Sequence, residues 1–129
     1  VDIFHAALEN GHYDCFVRAD TRLPMMYMED AIRATIALMD APVESIGDSR
    51  GGYNLSGCSF TAAEIADAVT ARVPGFTCDF KPDVRQEYAD SWPDSVDDSA
   101  AKQDWGWKAE YDLGALCDAM ISGIQSSSI

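Results

Sequence analysis

The sequence has 129 residues, which suits one domain or one lobe of a larger protein, and its hydrophobic fraction of 47% argues against disorder. The formal net charge is -13, from 22 acidic and 9 basic residues. Such a surface argues against binding to nucleic acids or to anionic membranes, because both ligands carry negative charge. No apolar run approaches the roughly 20 residues that cross a bilayer.

The first residues of the chain indicate how it relates to a longer protein, and its cysteines indicate whether it binds a metal. The chain begins at Val1, inside a helical pattern, and we expect it to have been cut from a longer protein. The cysteines are scattered without a Cys-x-x-Cys pair, and the two histidines lie near only the first of them, so the spacing predicts no metal site. We expect reduced, packed thiols, as in an intracellular protein, at Cys15, Cys58, Cys78 and Cys117.

The first quarter of the chain predicts a helix followed by two extended segments. Apolar residues recur at helical spacing over 3–8, and Gly11 ends that helix. Residues 13–18 then read as a strand. Residues 21–27 form a second extended segment, in which Pro24 indicates a sheet edge or a bulge.

The next segment predicts a second helix and a further strand. Acidic residues at 29–30 favour the positive end of a helix that Pro42 terminates. Residues 53–57 read as a short strand that leaves into a turn. One face of the helix is apolar and comprises Ile32, Ile36 and Met39.

The second half begins with a capping box. Residues 61–64 read Thr-Ala-Ala-Glu, in which the threonine hydroxyl and the glutamate can each satisfy one backbone amide at a helix start. Residues 76–81 alternate as a strand does, and 82–95 read as irregular with two prolines. The inward face of the helix comprises Ile65, Val69 and Val73.

Two helices are predicted near the end of the chain. Asp97 or Asp98 caps a short helix that ends near Gly106. Residues 112–125 carry the cleanest apolar stripe of the sequence, and 125–129 read as a frayed, serine-rich tail. The whole is an interleaved α/β pattern with few short strands, whose edges would stay unpaired without another sheet, so we expect a partner domain.

A complete active site is not predicted. No G-x-G-x-x-G fingerprint, P-loop or Tyr-x-x-x-Lys pair occurs in the sequence. The sequence therefore predicts no catalytic and no cofactor-binding residue within this chain.

Three residues are candidates for a binding site. Arg22 precedes a strand-to-helix junction and can reach a ligand across a sheet end, although a surface pair with Asp20 or Asp30 is the commoner role. Arg85 has the same two possible roles, binding a ligand or pairing at the surface with its neighbours Asp83 and Glu87. Trp92 lies in an irregular segment, where it either packs against a lobe or covers a small substrate.

Several motifs together resemble one enzyme family. Residues 104–113, with Asp-Trp-Gly-Trp-Lys, resemble the closing motif of extended short-chain dehydrogenases, and 53–57 resemble their late sheet strand. The strings Arg-Leu-Pro-Met-Met-Tyr-Met at 22–28 and Asp-Ser-Trp-Pro at 90–93 narrow the resemblance. With Arg85 and the Asp-Asp-Ser at 97–99, they are similar to the short-chain, NAD-dependent L-threonine 3-dehydrogenases.

This resemblance implies a fold and a division of labour. It implies oxidation of L-threonine to 2-amino-3-oxobutyrate with hydride transfer to NAD⁺. It also implies that residues 1–129 form a single partial domain, the C-terminal substrate lobe with peripheral strands of a Rossmann sheet. NAD would bind to an N-terminal Rossmann domain, absent from the chain, that holds the catalytic Tyr-x-x-x-Lys. The complete enzyme would be a homodimer, cytoplasmic in a bacterium and mitochondrial in a eukaryote.

The resemblance also assigns roles to the three candidates. Nucleotide-sugar relatives hold diphosphate with the arginines that match Arg22 and Arg85. Threonine has no diphosphate, so these arginines would order the cleft or meet the substrate carboxylate, and Trp92 would cover the substrate.

Two alternative identities of the chain stay open. The first is the corresponding lobe of a nucleotide-sugar epimerase or dehydratase, which the Arg-Leu-Pro string disfavours. The second is a non-catalytic relic or binding domain.

Overall fold

A computed structural model describes residues 1–127. Six α-helices, four strands and one short 3-10 turn at Val43–Ser45 follow one another within those residues. The helices are α1 (Asp2–Glu9), α2 (Met28–Asp40), α3 (Ala62–Thr70), α4 (Arg85–Asp90), α5 (Ser99–Trp105) and α6 (Leu113–Ser127). The strands are β1 (His12–Cys15), β2 (Arg22–Met25), β3 (Cys58–Thr61) and β4 (Thr77–Phe80).

The strands form two separate sheets of two strands each within the described residues. β1 pairs with β4 in parallel, with Tyr13 opposite Cys78, and β2 pairs with β3 in antiparallel, with Arg22 opposite Thr61. Pro24 lies in β2, a strand with one neighbour, as its missing amide hydrogen requires. Two-stranded sheets are marginal alone, so both depend on the helices packed against them.

The main core lies among α1, α3, α6 and the two sheets. Phe4 of α1, Val69 of α3 and Cys117 of α6 are at most 2% exposed, and Phe60 brings β3 into the same cluster. The predicted inward face of α3 is confirmed at Ile65 and Val69; Val73 also packs against this core but lies beyond the end of the helix at Thr70. The remaining buried members are Ile3, Ala7, Ala66, Phe76 and Leu116.

A second, smaller core joins α2 to α5 and to the segment after α5. Ala34, Ala101 and Trp107 are buried there, and Trp107 donates its indole hydrogen to the carbonyl oxygen of Ser56 at 3.2 Å. Gly106 ends α5 in the left-handed region at φ 75°, where a side chain would be strained. Trp107 therefore acts as a packing residue of this closing segment.

Asp30 fastens α2 to the closing segment. Its carboxylate is 0% exposed and accepts hydrogen bonds from Arg33 at 2.5 Å and from the backbone amides of Glu110 and Tyr111 at 3.1 Å. Burial alone would raise the pKa of Asp30, but these donors outweigh burial and hold the pKa below its usual value. The Arg33 guanidinium also lies 5.1 Å from the Trp107 ring centroid. We call this arrangement the Asp30 clasp.

The capping box that starts α3 is confirmed. The hydroxyl of Thr61 accepts from the backbone amide of Glu64 at 3.1 Å, and the Glu64 carboxylate accepts from the amide of Thr61 at 2.7 Å. This reciprocal pair fixes the point at which β3 turns into α3.

Three local predictions need correction. Residues 53–57 are not a strand in the described chain; the strand begins directly after them, at Cys58, as β3. The segment 82–95 is not wholly irregular, since it contains α4. The predicted tail from 125 is helical through Ser127, because the apolar stripe continues as far as Ile124; residues 128–129 lie outside the described chain.

The apolar face predicted for α2 points outward. Ile32, Ile36 and Met39 are 53%, 55% and 80% exposed, whereas the opposite face buries Asp30 and Ala34. No helix in the described part of the chain is long and apolar enough to cross a membrane.

Candidate functional site

Arg22 lies on β2, and its guanidinium is held on both sides. It donates to the carbonyl oxygen of Ser59 on β3 at 2.8 Å and to the Glu64 carboxylate at 3.1 Å. The predicted surface pair with Asp20 or Asp30 is therefore wrong, because the pairing of β2 with β3 brings Glu64 at the start of α3 to Arg22. Hydrogen bonds from the Thr61 amide and then from Arg22 lower the pKa of Glu64.

Trp92 follows α4 and is exposed. Its backbone amide donates to the carbonyl oxygen of Ala89 at 3.1 Å, which closes the end of the helix. The residue is 59% accessible to solvent. An indole that exposed is not part of the core formed by the described residues.

Arg22 and Trp92 line the same small cleft. Its volume is about 150 Å³, below the roughly 300–1,000 Å³ of typical small-molecule pockets. Its charged side chains are two arginines and three aspartates, which leaves one net negative charge. The complete lining is Arg18, Asp20, Thr21, Arg22, Ala89, Asp90, Trp92 and Asp94.

Charge pairs and hydrogen bonds hold the rim of this cleft. Arg18 donates to Asp90 at 2.8 Å and lies 3.5 Å from Asp20. Hydrogen bonds from Arg18 and then from Gln86 lower the pKa of Asp90. On the far side, the Ser59 hydroxyl donates to the carbonyl oxygen of Asp94.

Arg85 lies apart from the cleft. It begins α4, forms a two-point ion pair with Asp83 at 2.5–3.1 Å, and its guanidinium carbon lies 3.6 Å from the centroid of the Phe16 ring. The lining of the cleft within residues 1–127 does not include Arg85. The structure thus joins two of the three predicted site residues and separates the third.

An apolar groove of about 430 Å³ opens near the start of the chain. Its walls come from α1, β1, β2 and α6, with Phe16, Tyr27 and Met120 among the lining residues. It holds no arrangement of charged groups comparable to the cleft. We therefore treat the polar cleft as the candidate site.

A group of potential metal ligands lies on the exposed side of the β1–β4 sheet. His12, Asp14 and Asp79 present ligand atoms within 4.8 Å of one another, because His12 and Asp14 share one strand face and Asp79 is paired with Asp14. Lys81 already binds Asp14 at 2.8 Å.

The four cysteines are free thiols. Burial is the first cause and the charge of Cys15 the second cause that raise the pKa of Cys78 to about 11.

Sequence reasoning missed three charged residues of the cleft lining. Arg18, Asp90 and Asp94 come from segments that are up to 76 positions apart. The only signal in the sequence was their closeness to the two conspicuous strings at 22–28 and 90–93. Which charges face each other depends on how the chain folds, and that is not encoded in local spacing.

The chain was compared with known proteins by sequence. No family model matches the chain. Over 123 residues the chain is 48% identical to the mitochondrial L-threonine 3-dehydrogenase of Bos taurus. The matched region covers 95% of the chain and 32% of that protein. It is 40% identical to an uncharacterised epimerase/dehydratase of Staphylococcus haemolyticus, over 97% of the chain and 39% of that protein. The chain thus spans between about a third and two-fifths of these relatives.

Solved structures agree with these sequence matches. An L-threonine dehydrogenase from Cupriavidus necator superposes with a TM-score of 0.91 at 53% identity, over 96% of this chain and 44% of that one. The enzyme from Clostridium difficile gives a TM-score of 0.93 at 36% identity, over all of this chain and 40% of that one. The chain is a homologue of the C-terminal part of the L-threonine 3-dehydrogenases of the extended short-chain dehydrogenase type, a group that includes epimerase/dehydratase relatives.

Proposed function

We propose that this chain is the substrate lobe of an NAD-dependent L-threonine 3-dehydrogenase that oxidises L-threonine to 2-amino-3-oxobutyrate. In this proposal the complete enzyme is a homodimer. NAD⁺ and the catalytic proton-transfer groups belong to a Rossmann domain outside residues 1–129. The lobe closes over the substrate, excludes water and fixes which molecule is oxidised.

The mixed charge of the cleft is the observation that supports threonine most directly. L-Threonine carries a carboxylate and an ammonium group, and the cleft is lined by both arginines and aspartates, with Arg18 and Arg22 paired to Asp90 and Glu64. The exposed indole of Trp92 lies beside both kinds of charge and can cover a small aliphatic side chain.

The same charges disfavour a nucleotide sugar. A diphosphate needs an excess of cationic donors, whereas the cleft carries one net negative charge. Arg22 and Arg85, which match the diphosphate-gripping arginines of nucleotide-sugar relatives, are both bound to carboxylates of this chain. We therefore propose that Arg22 orders the cleft through Ser59 and Glu64, and that Arg85 acts outside it.

The test uses the protein encoded by the complete reading frame. We expect L-threonine to reduce NAD⁺ in its presence, and we expect UDP-sugars neither to bind nor to inhibit. Binding of UDP-sugars with no turnover of threonine would contradict the proposal and support the epimerase or dehydratase alternative.

The division of labour has its own test. The isolated 129-residue chain should reduce no NAD⁺ with threonine, because no dinucleotide fingerprint and no Tyr-x-x-x-Lys pair occurs in its sequence. Turnover by the pure chain would contradict the assignment of the chemistry to residues outside it.

A further inference from the structure

Gln86 is a buried amide at the junction of the two sides of the cleft. It lies on α4 and is 7% exposed. Its side-chain oxygen accepts from the backbone amide of Arg18 at 2.7 Å, and its side-chain nitrogen donates to Asp90 at 2.7 Å. The nitrogen also lies 3.1 Å from the hydroxyl of Thr21, which is itself buried.

These bonds connect two segments that are distant in the sequence. Arg18 and Thr21 belong to the turn that leads into β2 and Arg22. Asp90 ends α4, two residues before Trp92. The amide of Gln86 therefore bridges the arginine side of the cleft to the tryptophan side.

The other connections across the cleft are more exposed. The side chains of Arg18 and Asp90 are 51% and 48% accessible, and ion pairs this open contribute little. The buried amide differs, because its removal would leave the Arg18 amide and the Asp90 carboxylate without the partner they now have.

We propose that Gln86 is a positioning residue that sets the placement of Trp92 relative to Arg22, and thereby the fit of the cleft to its substrate. The effect on threonine rests on the function proposed above. The effect on the position of Trp92 does not.

The first measurement compares steady-state kinetics of variants of the complete protein. Gln86→Met keeps the length of the side chain and removes both hydrogen-bonding groups. We expect it to raise the KM for L-threonine roughly tenfold, the effect of losing one buried hydrogen bond, while the KM for NAD⁺ stays within about twofold. Glu87→Met, the same new residue on the exposed face of α4, is the matched control and should leave both KM values unchanged.

The second measurement follows Trp92 without using activity. The protein is labelled with 5-fluorotryptophan, and the Trp92 fluorine resonance is identified by its disappearance in Trp92→Phe. We expect Gln86→Met to shift and broaden this resonance and to leave the other resonances in place. Glu87→Met should leave the whole spectrum unchanged. If Gln86→Met does not fold, Gln86→Glu, which keeps the acceptor for Arg18 and loses the donor to Asp90, replaces it in both measurements.

The outcomes separate the two claims. An unchanged Trp92 resonance in a folded Gln86 variant overturns the positioning role, whatever the threonine assay shows. A shifted resonance in a protein that does not oxidise threonine supports the positioning role and contradicts the proposed function. A shifted resonance with an unchanged threonine KM overturns the claim that this placement fits the cleft to its substrate.

Discussion

The Asp30 clasp and the Arg22–Trp92 cleft use charge in opposite ways. Asp30 is completely buried, and three donors from Arg33, Glu110 and Tyr111 satisfy its carboxylate. In the cleft, the side chains of Arg22 and Asp90 stay 37% and 48% exposed, and Trp92 is 59% exposed. A buried and saturated charge fixes the architecture, whereas an exposed set of opposite charges keeps the capacity to bind a polar molecule.

Loss of the clasp should have the largest effect on stability. Asp30→Ala leaves two backbone amides and Arg33 without their acceptor, so we expect the free energy of unfolding to fall by about 3 kcal/mol. Chemical denaturation followed by tryptophan fluorescence measures this change. The control is Asp67→Ala on the exposed side of α3, for which the change should stay within about 0.5 kcal/mol. Equal effects of the two substitutions would refute a special role for the clasp.

The same carboxylate should make stability depend on acid. The folded pKa of Asp30 lies below its ordinary value of 3.8, so its stabilisation is present above pH 3.8 and is lost as the pH falls through the folded pKa. The difference in unfolding free energy between the wild type and Asp30→Asn should therefore shrink below pH 3.8. A difference that does not change with pH would show that the charge of Asp30 is not what stabilises the clasp.

Substitution of Arg22 should act on the cleft more than on stability. Arg22→Met removes the bonds to Ser59 and Glu64, and we expect it to raise the threonine KM several-fold while costing about 1 kcal/mol or less in unfolding free energy, because the ion pair is partly exposed. Arg50→Met, at an exposed loop arginine, is the control for loss of a positive charge. Equal KM changes in the two variants would indicate that only net charge matters.

Substitution of Arg85 should have the smallest effect of the series. Arg85 pairs with Asp83 and stacks on Phe16 away from the cleft, so Arg85→Met should leave the threonine KM within about twofold of the wild type. A tenfold increase would return Arg85 to the substrate site and contradict its separation in this structure.

Local signals predicted the elements of the fold better than their surroundings. The capping box at Thr61 and the helical stripe of α6 were readable because each depends on neighbours within a few residues. Residues 53–57 were predicted as a strand and form none in the described chain, because pairing depends on a second segment and not on local sequence. The outward apolar face of α2 shows the same limit, since periodicity identifies a face but not what covers it.

The candidate site shows the same contrast between local sequence signals, which were readable, and contacts that depend on the fold, which were not. Arg22 and Trp92 stood out by residue type and by the strings around them, and the structure brings them to one cleft. Gln86 gave no signal, because an amide between an arginine and a glutamate is ordinary in sequence and unusual only once buried. The partner of Arg22 also depended on the β2–β3 register, which sets Arg22 opposite Thr61 and near Glu64.

The kinetics of Trp92→Ala in the complete protein test the central claim most directly, with Tyr88→Ala as the control. Tyr88 is an exposed aromatic residue of α4, the helix that Trp92 follows, at 66% against 59% for Trp92, and it does not line the cleft formed by the described residues. We predict that Trp92→Ala lowers kcat/KM for L-threonine about tenfold or more, with NAD⁺ affinity unchanged and the unfolding free energy within about 0.5 kcal/mol. We predict that Tyr88→Ala changes none of the three. Equal loss of threonine turnover and NAD⁺ binding in Trp92→Ala, or no loss at all, would contradict a substrate site on this lobe.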